Sequence, residues 1–371
     1  MSNILFVTWD GGGNVAPAVL IAKELQQRGD TIRFIGQSQQ REALESAGFA
    51  FTAYSKKHLW TATGKRGALK NTLGFLGLLV GRSLGRDMLA DLATTPTDLV
   101  VIDCLLYGAL DAAKNAGLRY ALLVHSLYAA IETKMAGGAP GAIARMVGLS
   151  PRPLWANADA TIVTTLEELD PGRTAPGIQL NYTGPVIAEV TSHRTTAELH
   201  SILVSLSTTY IAGQAKLLQK IMDATADLPV HVIVTTGPAV NPTELHPARN
   251  AEVHAFRPHA DVMPTVSLVV GHGGHSTTML ALAHDLPLVI LPLNPEFDQP
   301  MIAEVVQESG AGLALSSSAS ANAIREAIER MLGAGVHRQV AERLGTAIRA
   351  EHGAATAADL VQRSIANAAH V

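Results

Sequence analysis

The sequence predicts an α/β protein made of two doubly wound parallel-sheet domains. Short apolar, β-branched runs alternate with segments of helical periodicity through both halves of the chain, a rhythm typical of parallel sheets covered by helices. The length of 371 residues fits two domains better than one. A stretch rich in Pro, Thr and Ser at 186–199 predicts the linker. We therefore expect an N-terminal domain over 1–185 and a second domain over 200–352.

The first half begins with a strand, a glycine-rich turn and a helix. Ile4–Thr8 is apolar, three glycines lie between Asp10 and Asn14, and Val15–Arg28 has helical periodicity that ends at Gly29. The glycines lack the G-x-G-x-x-G spacing, and no acidic residue ends the second predicted strand. The sequence therefore disfavours a dinucleotide site at this turn.

Ionisable residues follow three predicted strands of this half. Asp98–Ile102 is followed by Asp103, Tyr120–Val124 is followed by His125, and Asp10 follows the first strand. Ligands of doubly wound sheets bind beyond the carboxyl ends of the strands. These three residues are candidates for acid–base chemistry. Each also has a structural alternative: a helix cap for Asp10, loop amides for Asp103, and a satisfied pocket histidine for His125.

The most informative stretch of the second half is a small-residue turn between a predicted strand and a predicted helix. Ser267–Val270 predicts the strand, and Thr277–His284 predicts the helix. Backbone amides and the positive end of the dipole at a helix start favour an anion, and hydroxyl side chains add donors. The candidate anion-binding residues are His272, Gly273, Gly274, Ser276 and Thr277.

Two further strand ends in this half carry polar residues. Leu288–Leu291 predicts a strand, after which Asp298 and Gln299 begin another helix. Ile202–Leu206 predicts the first strand of this domain, and Thr208 lies in the hydroxyl-bearing turn that follows. Carboxylate and amide groups suit sugar hydroxyls, since they accept and donate hydrogen bonds.

In this order the segments resemble the donor-binding signature of family 1 nucleotide-sugar-dependent glycosyltransferases. The resemblance extends over essentially the whole chain and is most specific over 252–315. It implies the GT-B fold, in which the two domains face each other across a cleft. It also implies a C-terminal helix, here 353–371, that packs back on the N-terminal domain.

The resemblance also implies roles for individual residues. A base-stacking segment falls on Phe256, Arg257 and His259, the diphosphate site on His272, Thr277 and the turn of Thr208, and the sugar site on Asp298 and Gln299. The chain departs from the family's donor-site pattern at three positions: Leu280 replaces a ribose-binding Glu, His259 replaces Gln, and Ser207 replaces Gly.

The implied reaction is an inverting, metal-independent transfer of a hexose from a UDP- or dTDP-sugar to an acceptor hydroxyl. Many family members carry a catalytic His in the first loop, where this chain has Asn14. An amide can orient an acceptor but cannot deprotonate it. Asp103 stands where the partner of that His is usual. We expect the base at Asp10 first, at Asp103 second and at His125 third.

Composition excludes other classes of protein. A net charge of −4 disfavours a nucleic-acid binder. Cys104 is the only cysteine, so an internal disulfide is excluded and a cysteine metal site is disfavoured. The histidines between His246 and His284 lack zinc-site spacing. We expect no metal and no cofactor besides the donor substrate. The start has no signal-peptide pattern and no apolar run has bilayer-spanning length, so a cytoplasmic protein is expected.

The segment 55–86 is basic and contains no acidic residue. Its cations are Lys56, Lys57, Lys65, Arg66, Lys70, Arg82 and Arg86. One interpretation is a pair of acceptor-lining helices with solvated cations. The other is a basic amphipathic surface that contacts anionic lipid or admits a lipophilic small-molecule or lipid acceptor, with peripheral membrane contact.

Two alternatives to a hexosyltransferase stay open from the sequence. A degenerate nucleotide-sugar-binding or auxiliary protein is favoured by Asn14 and Leu280, and opposed by His272, Thr277, Asp298 and Gln299. A nucleotide-sugar epimerase on the same fold is disfavoured by the apolar residues of 55–95.

Overall fold

The computed structural model describes residues 1–55, 60, 62–64, 68–172, 176–188, 190, 200–333 and 335–367. The chain divides into two compact units. The first unit comprises Met1–Thr61, Arg66–Ile187 and His352–Val371, and the second comprises Ala62–Lys65 and Ala188–Glu351. Most of the predicted linker 186–199 lies outside the described residues, as do Lys56, Lys57, Lys65 and Arg66 of the basic segment.

Thirteen strands occur among the described residues. They are β1 (Asn3–Val7), β2 (Thr31–Gly36), β3 (Ala50–Ala53), β4 (Leu99–Asp103), β5 (Tyr120–Val124), β6 (Ala160–Val163), β7 (Leu180–Tyr182), β8 (His200–Ser205), β9 (Val230–Thr235), β10 (Ala251–His254), β11 (Leu268–Gly271), β12 (Leu288–Ile290) and β13 (Gly312–Ala314).

Helices follow most of these strands. They are α1 (Val15–Gln27), α2 (Arg41–Ser46), α3 (Ala68–Leu79), α4 (Arg82–Thr94), α5 (Tyr107–Asn115), α6 (Tyr128–Ala130), α7 (Ala139–Met146), α8 (Pro151–Ala156), α9 (Gln214–Thr225), α10 (His259–Val262), α11 (His275–Ala283), α12 (Gln299–Ser309), α13 (Ala321–Gly333), α14 (Gly335–Ala350) and α15 (Gly353–Ala366). A π-helical turn, Ile131–Ala136, continues α6.

The sheet of the first unit has the order β3-β2-β1-β4-β5-β6-β7 in the described residues, and all its pairs are parallel. Its central strands are fully buried, as continuous apolar runs predict. The edge strand β7 has only three residues. Its three residues are half-buried, so they lack a strong apolar pattern.

The sheet of the second unit has the order β10-β9-β8-β11-β12-β13 in the described residues, again with parallel pairs. Its core consists mainly of aliphatic side chains from these strands and from α9 and α13. Two doubly wound parallel sheets confirm the predicted fold class. The topology brings the carboxyl ends of β8, β11 and β12 next to one another.

The last helix belongs to the first unit. Ala357, Ala358 and Val361 of α15 are buried in the same core as residues of α1. At the start of α15, a Cβ atom on Gly353 would lie 2.6 Å from the carbonyl oxygen of Pro185. A glycine therefore permits this close approach of the returning chain. Among the described residues, none of the helices combines the length and apolarity that crossing a bilayer requires.

Candidate active site

Three polar side chains meet at the carboxyl edge of the first sheet. Asn14 precedes α1 in the loop after β1, Asp103 is the last residue of β4, and His125 directly follows β5. These strands are neighbours in the order β1-β4-β5. We call Asn14, Asp103 and His125 the strand-end cluster. The sequence predicted each residue as a candidate, and the fold places them in contact.

Asp103 is the centre of the strand-end cluster. Its Oδ2 atom lies 2.9 Å from Nδ1 of His125 and accepts a hydrogen bond from Nδ2 of Asn14 at 3.2 Å. Its Oδ1 atom accepts one from the amide of Leu105 at 3.0 Å. The carboxylate is therefore held by a histidine, an amide side chain and a backbone amide.

Opposite charges set the protonation of Asp103 and His125. Burial raises the pKa of Asp103, but the charge of His125 and several hydrogen bonds outweigh burial, and the net pKa is lowered. Burial lowers the pKa of His125, but the charge and contact of Asp103 outweigh it, and the net pKa is well above the ordinary value of 6.5. The pair is thus an imidazolium–carboxylate pair at neutral pH.

Cys104 lies beside this pair, and one ligand-type atom from each of Asp103, Cys104 and His125 lies within 4.8 Å of the others. Burial raises the pKa of the Cys104 thiol, and the charge of Asp103 raises it further. A metal would need the thiolate and free carboxylate oxygens. Because the thiol stays protonated and both Asp103 oxygens have donors, the cluster is better suited to proton transfer than to metal binding.

Asp10 makes its contacts elsewhere in the same loop. Its amide donates to Oε1 of Gln37 at 2.8 Å. The side chain is half-buried, and burial raises its pKa against the opposing effect of a hydrogen bond with Gln39. Asp10 therefore keeps a polar environment of its own, formed by the glutamines that follow β2.

An aromatic group that sequence reasoning missed lies next to the strand-end cluster. The rings of Trp9, Trp60 and Phe75 have mutual centroid distances of 5.3–5.8 Å, and Trp9 lies 6.3 Å from the ring of His125. Trp9 directly follows Thr8 at the end of the first predicted strand, and that position was the available signal. The aromatic group gives His125 an apolar wall.

In the second unit, His272 follows β11, the strand that lies between β8 and β12. The side chain is buried, and burial, with a smaller effect from His259, lowers its pKa to about 4. The imidazole is therefore neutral at pH 7 and can donate one hydrogen bond. A Cβ on Gly274 would lie 2.7 Å from the His272 ring, so a glycine is needed beside it.

Gly273 allows the turn to approach the start of α12. Its φ of +83° lies in the left-handed region. A Cβ at this position would lie 2.9 Å from the carbonyl oxygen of Gln299. Both the backbone conformation and the space thus require glycine, and the turn after β11 is packed against the segment that carries Asp298 and Gln299.

Helix α11 begins at His275, two residues earlier than predicted, because the turn needs only Gly273 and Gly274. Ser276 and Thr277 are half-buried residues of its first turn. Gly274 occupies the N-cap position and has no side chain to cap the helix. The amide end of the helix and these two hydroxyls therefore share one region, as the predicted anion site requires.

Gln299 has a structural contact that the sequence did not indicate. Its Oε1 atom accepts hydrogen bonds from the amides of Leu293 and Asn294, both at 2.9 Å. The side chain is buried, and its Nε2 group is the part that can donate hydrogen bonds to a ligand. Asp298 is the half-buried N-cap residue of α12.

The remaining candidates lie after β8, after β10 and within α11. Phe256 is 77% exposed, and Arg257 pairs with Glu252 at 3.0 Å. Nε2 of His259 lies 3.2 Å from Oγ1 of Thr235, and burial lowers the pKa of His259. Thr208 is exposed; a Cβ on Gly237 would lie 3.5 Å from its Cα. Leu280 is half-buried in α11.

Comparisons with known proteins identify similar sequences and structures. Residues 219–365 match the family "Erythromycin biosynthesis protein CIII-like, C-terminal domain". The 4'-demethylrebeccamycin synthase of Lentzea aerocolonigenes is 25% identical to this chain in an alignment of 422 positions, gaps included, that covers 97% of this chain and 99% of the synthase. The uncharacterized UDP-glucosyltransferase YojK of Bacillus subtilis (strain 168) is 22% identical in an alignment of 405 positions, gaps included, that covers 98% of each protein.

The chain is similar to family 1 glycosyltransferases. The crystal structure of CalG4, the calicheamicin glycosyltransferase, has a TM-score of 0.80 and 22% identity, over 100% of this chain and 99% of that one. This likeness shows the GT-B fold. The glycosyltransferase is a nucleotide-sugar-dependent enzyme similar to those of bacterial natural-product pathways, and its predicted donor-binding residues all lie in the second unit.

Proposed function

We propose that this glycosyltransferase transfers a hexose from a UDP- or dTDP-sugar to a hydroxyl of a lipophilic small molecule or lipid, with inversion and without a metal. The observation that carries the proposal is the neutral, buried His272 beside the amide end of α11. This arrangement supports binding of a diphosphate through hydrogen bonds. These bonds would stabilise the negative charge that a metal ion would otherwise neutralise.

The diphosphate of the donor would contact the turn after β11. His272 donates a hydrogen bond, and the hydroxyls of Ser276 and Thr277 add two more beside the helix dipole. Thr208, at the end of the neighbouring β8, is exposed and supplies another donor. Charge that develops on the leaving diphosphate would be stabilised by these fixed dipoles.

The nucleotide base and the sugar would bind on either side of this turn. Phe256 is exposed after β10, which suits stacking against a base. Asp298 and the Nε2 group of Gln299 follow β12 and suit sugar hydroxyls. The name of the Bacillus relative supports UDP as the nucleotide, while the family resemblance supports dTDP equally.

The proposal of a lipophilic acceptor is based on apolar groups of the first unit. Trp9, Trp60 and Phe75 form the aromatic group beside His125. Leu73 of α3 and Met146 of α7 are 60% and 86% exposed, and these helices contact each other. These exposed side chains, with the basic residues of 55–86, support a peripheral contact with anionic lipid.

The test combines binding and turnover. Thermal shifts with matched UDP- and dTDP-sugars identify the donor, because a ligand that binds only the native state raises its stability. Release of nucleoside diphosphate that requires an acceptor, is unchanged by a chelator and yields the inverted anomer is the expected result. Sugar interconversion without acceptor would indicate an epimerase instead. Binding without either reaction would indicate an auxiliary protein.

A further inference from the structure

The strand order of the first sheet places one carboxylate between two possible partners. Asp103 ends β4, the strand between β1 and β5. Asn14 contacts it from the β1 side and His125 from the β5 side, both at the same oxygen, Oδ2. A histidine on either flank could therefore use the same carboxylate as its partner.

Asn14 is fully occupied by structural hydrogen bonds. Its Nδ2 group donates to the carbonyl of Trp9 at 3.0 Å and to Asp103, while its Oδ1 atom accepts from the amide of Gly11 at 3.0 Å. The side chain is only 3% exposed. Asn14 thus fixes the glycine-rich loop and one face of the Asp103 carboxylate, but it has no basic site.

His125 is the member of the strand-end cluster that reaches the surface. Its side chain is 14% exposed, against 3% for Asp103. Nδ1 faces Asp103, so Nε2 lies on the opposite edge of the imidazole ring. The Nδ1 contact has an ion-pair distance without an aligned hydrogen bond.

We propose that His125, oriented by Asp103, is the catalytic base of the transfer, and that Asn14 is a positioning residue for Asp103. This proposal rests on the proposed function above. The acceptor hydroxyl gives its proton to Nε2 of His125, and its oxygen forms a bond to the anomeric carbon. The bond from that carbon to the diphosphate oxygen breaks, and its electron pair leaves with the nucleoside diphosphate.

The neighbouring titratable groups do not add a second charge. The charge of Asp103 acts on Cys104, Tyr54 and Tyr107, and burial is the largest effect that raises the pKa of each. They are therefore neutral where His125 works. Asp10 lacks the arrangement of His125, because its contacts are with Gln37 and Gln39 rather than with a charged partner.

The base must be neutral to accept a proton. Since Asp103 holds the pKa of His125 well above 6.5, kcat/KM is expected to rise with increasing pH as His125 loses its proton. This rise is the limb of the pH profile that reports on His125. Asp103→Asn removes the charge that raises the pKa. The limb should then move toward lower pH while kcat falls, because the ring loses its orientation. A purely structural role of Asp103 would lower activity without moving the limb.

The decisive experiment compares His125→Gln, Asp10→Asn and the double variant Asn14→His/His125→Gln in acceptor-dependent release of nucleoside diphosphate. His125→Gln should lower kcat about 10²–10⁴-fold with an unchanged donor Kd. The double variant should have a kcat at least about tenfold higher than that of His125→Gln, because a histidine at position 14 meets the same Asp103 oxygen. His246→Gln, at an exposed histidine of the second unit, is the matched control.

Each outcome has a distinct meaning. Full activity of His125→Gln, or a loss confined to Asp10→Asn, overturns the role of His125 while the proposed function stands. Wild-type protein that binds nucleotide sugars without transfer overturns the proposed function, and the role of His125 with it. If the variants unfold, the His125 imidazole can be titrated by NMR in wild type. An ordinary pKa there would overturn the pairing with Asp103.

Discussion

The side-chain oxygen of Gln299 accepts a hydrogen bond from the amide of Leu293 at 2.9 Å. This bond joins the first turn of α12 to the loop that leaves β12. Together with the bond from Asn294, it fixes the loop in front of Asp298. The oxygen of Gln299 therefore holds the loop, and the proposed sugar contact would use its Nε2 group.

Substitutions at Gln299 should separate these functions. Gln299→Ala removes two hydrogen bonds of about 0.5–1.5 kcal/mol each, so the free energy of unfolding should fall by about 1–3 kcal/mol. Gln299→Glu keeps the acceptor at a helix start that favours an anion, so stability should stay near wild type. Both variants should bind the nucleotide sugar more weakly, with nucleoside diphosphate affinity nearly unchanged. Urea unfolding and calorimetry measure the two effects. An equal loss of affinity for the nucleotide sugar and the nucleoside diphosphate would contradict a sugar contact of Gln299. The same comparison with Asp298→Ala tests the sugar contact of Asp298.

Gly273→Ala should damage both the fold and the donor site. The left-handed conformation costs about 1–2 kcal/mol for a residue with a side chain, and the new Cβ would lie 2.9 Å from Gln299. Gly213→Ala is the matched control, with φ of +87° and no atom within 4 Å. The control should lose stability alone, whereas Gly273→Ala should lose more stability and bind UDP- or dTDP-sugars more weakly. Equal donor affinity in the two variants would show that the turn does not shape the site.

Donor binding should be linked to protonation of His272. Its pKa of about 4 is depressed by burial, so the imidazole is neutral at pH 5–7. A bound diphosphate brings negative charge and raises this pKa. Binding of a nucleotide sugar at about pH 5 should therefore take up protons, and binding at pH 8 should not. Calorimetry in buffers of different ionisation enthalpy measures this uptake.

His272→Ala should reduce the proton uptake and weaken donor use about ten- to hundredfold, since a hydrogen bond to a charged group contributes about 1.5–3 kcal/mol. His259→Gln tests the neighbouring histidine in the same assay. Unchanged uptake and turnover in a folded His272→Ala variant would contradict the diphosphate site.

The basic segment 55–86 should bind anionic vesicles. The triple variant Lys65→Glu/Arg66→Glu/Lys70→Glu should co-sediment less with phosphatidylserine vesicles, since each cation near such a surface contributes about 1 kcal/mol. A matched triple reversal at Lys23, Lys114 and Lys216, which are exposed elsewhere, controls for net charge. If both triple variants co-sediment with the vesicles to the same extent and have the same acceptor kinetics, only the interpretation with solvated cations is left.

Much of the candidate donor site is predictable from sequence because its parts are local. The turn from His272 to Thr277 follows one apolar strand within a few residues. Strand, glycine and helix-start signals depend on neighbouring residues, and they place amides and hydroxyls together in any parallel sheet. The same rhythm in both halves was enough to predict two doubly wound sheets.

The edge strands and helix starts depend on weaker signals. β7 has only three half-buried residues, so its pairing with β6 rather than its own sequence makes it a strand. Helix α11 begins at His275, directly after its N-cap residue Gly274. Neither boundary follows from hydrophobic periodicity alone.

By itself, the sequence determined the fold class and the order of the donor-site residues. Only the tertiary structure decided which candidate base has a partner. Asn14 and Asp103 are 89 positions apart, and they meet because β1 and β4 are neighbours in the sheet. His125 joins them because β5 pairs with β4 in a register that ends beside Asp103. Such contacts arise from strand order and burial of the whole sheet, which no local pattern encodes.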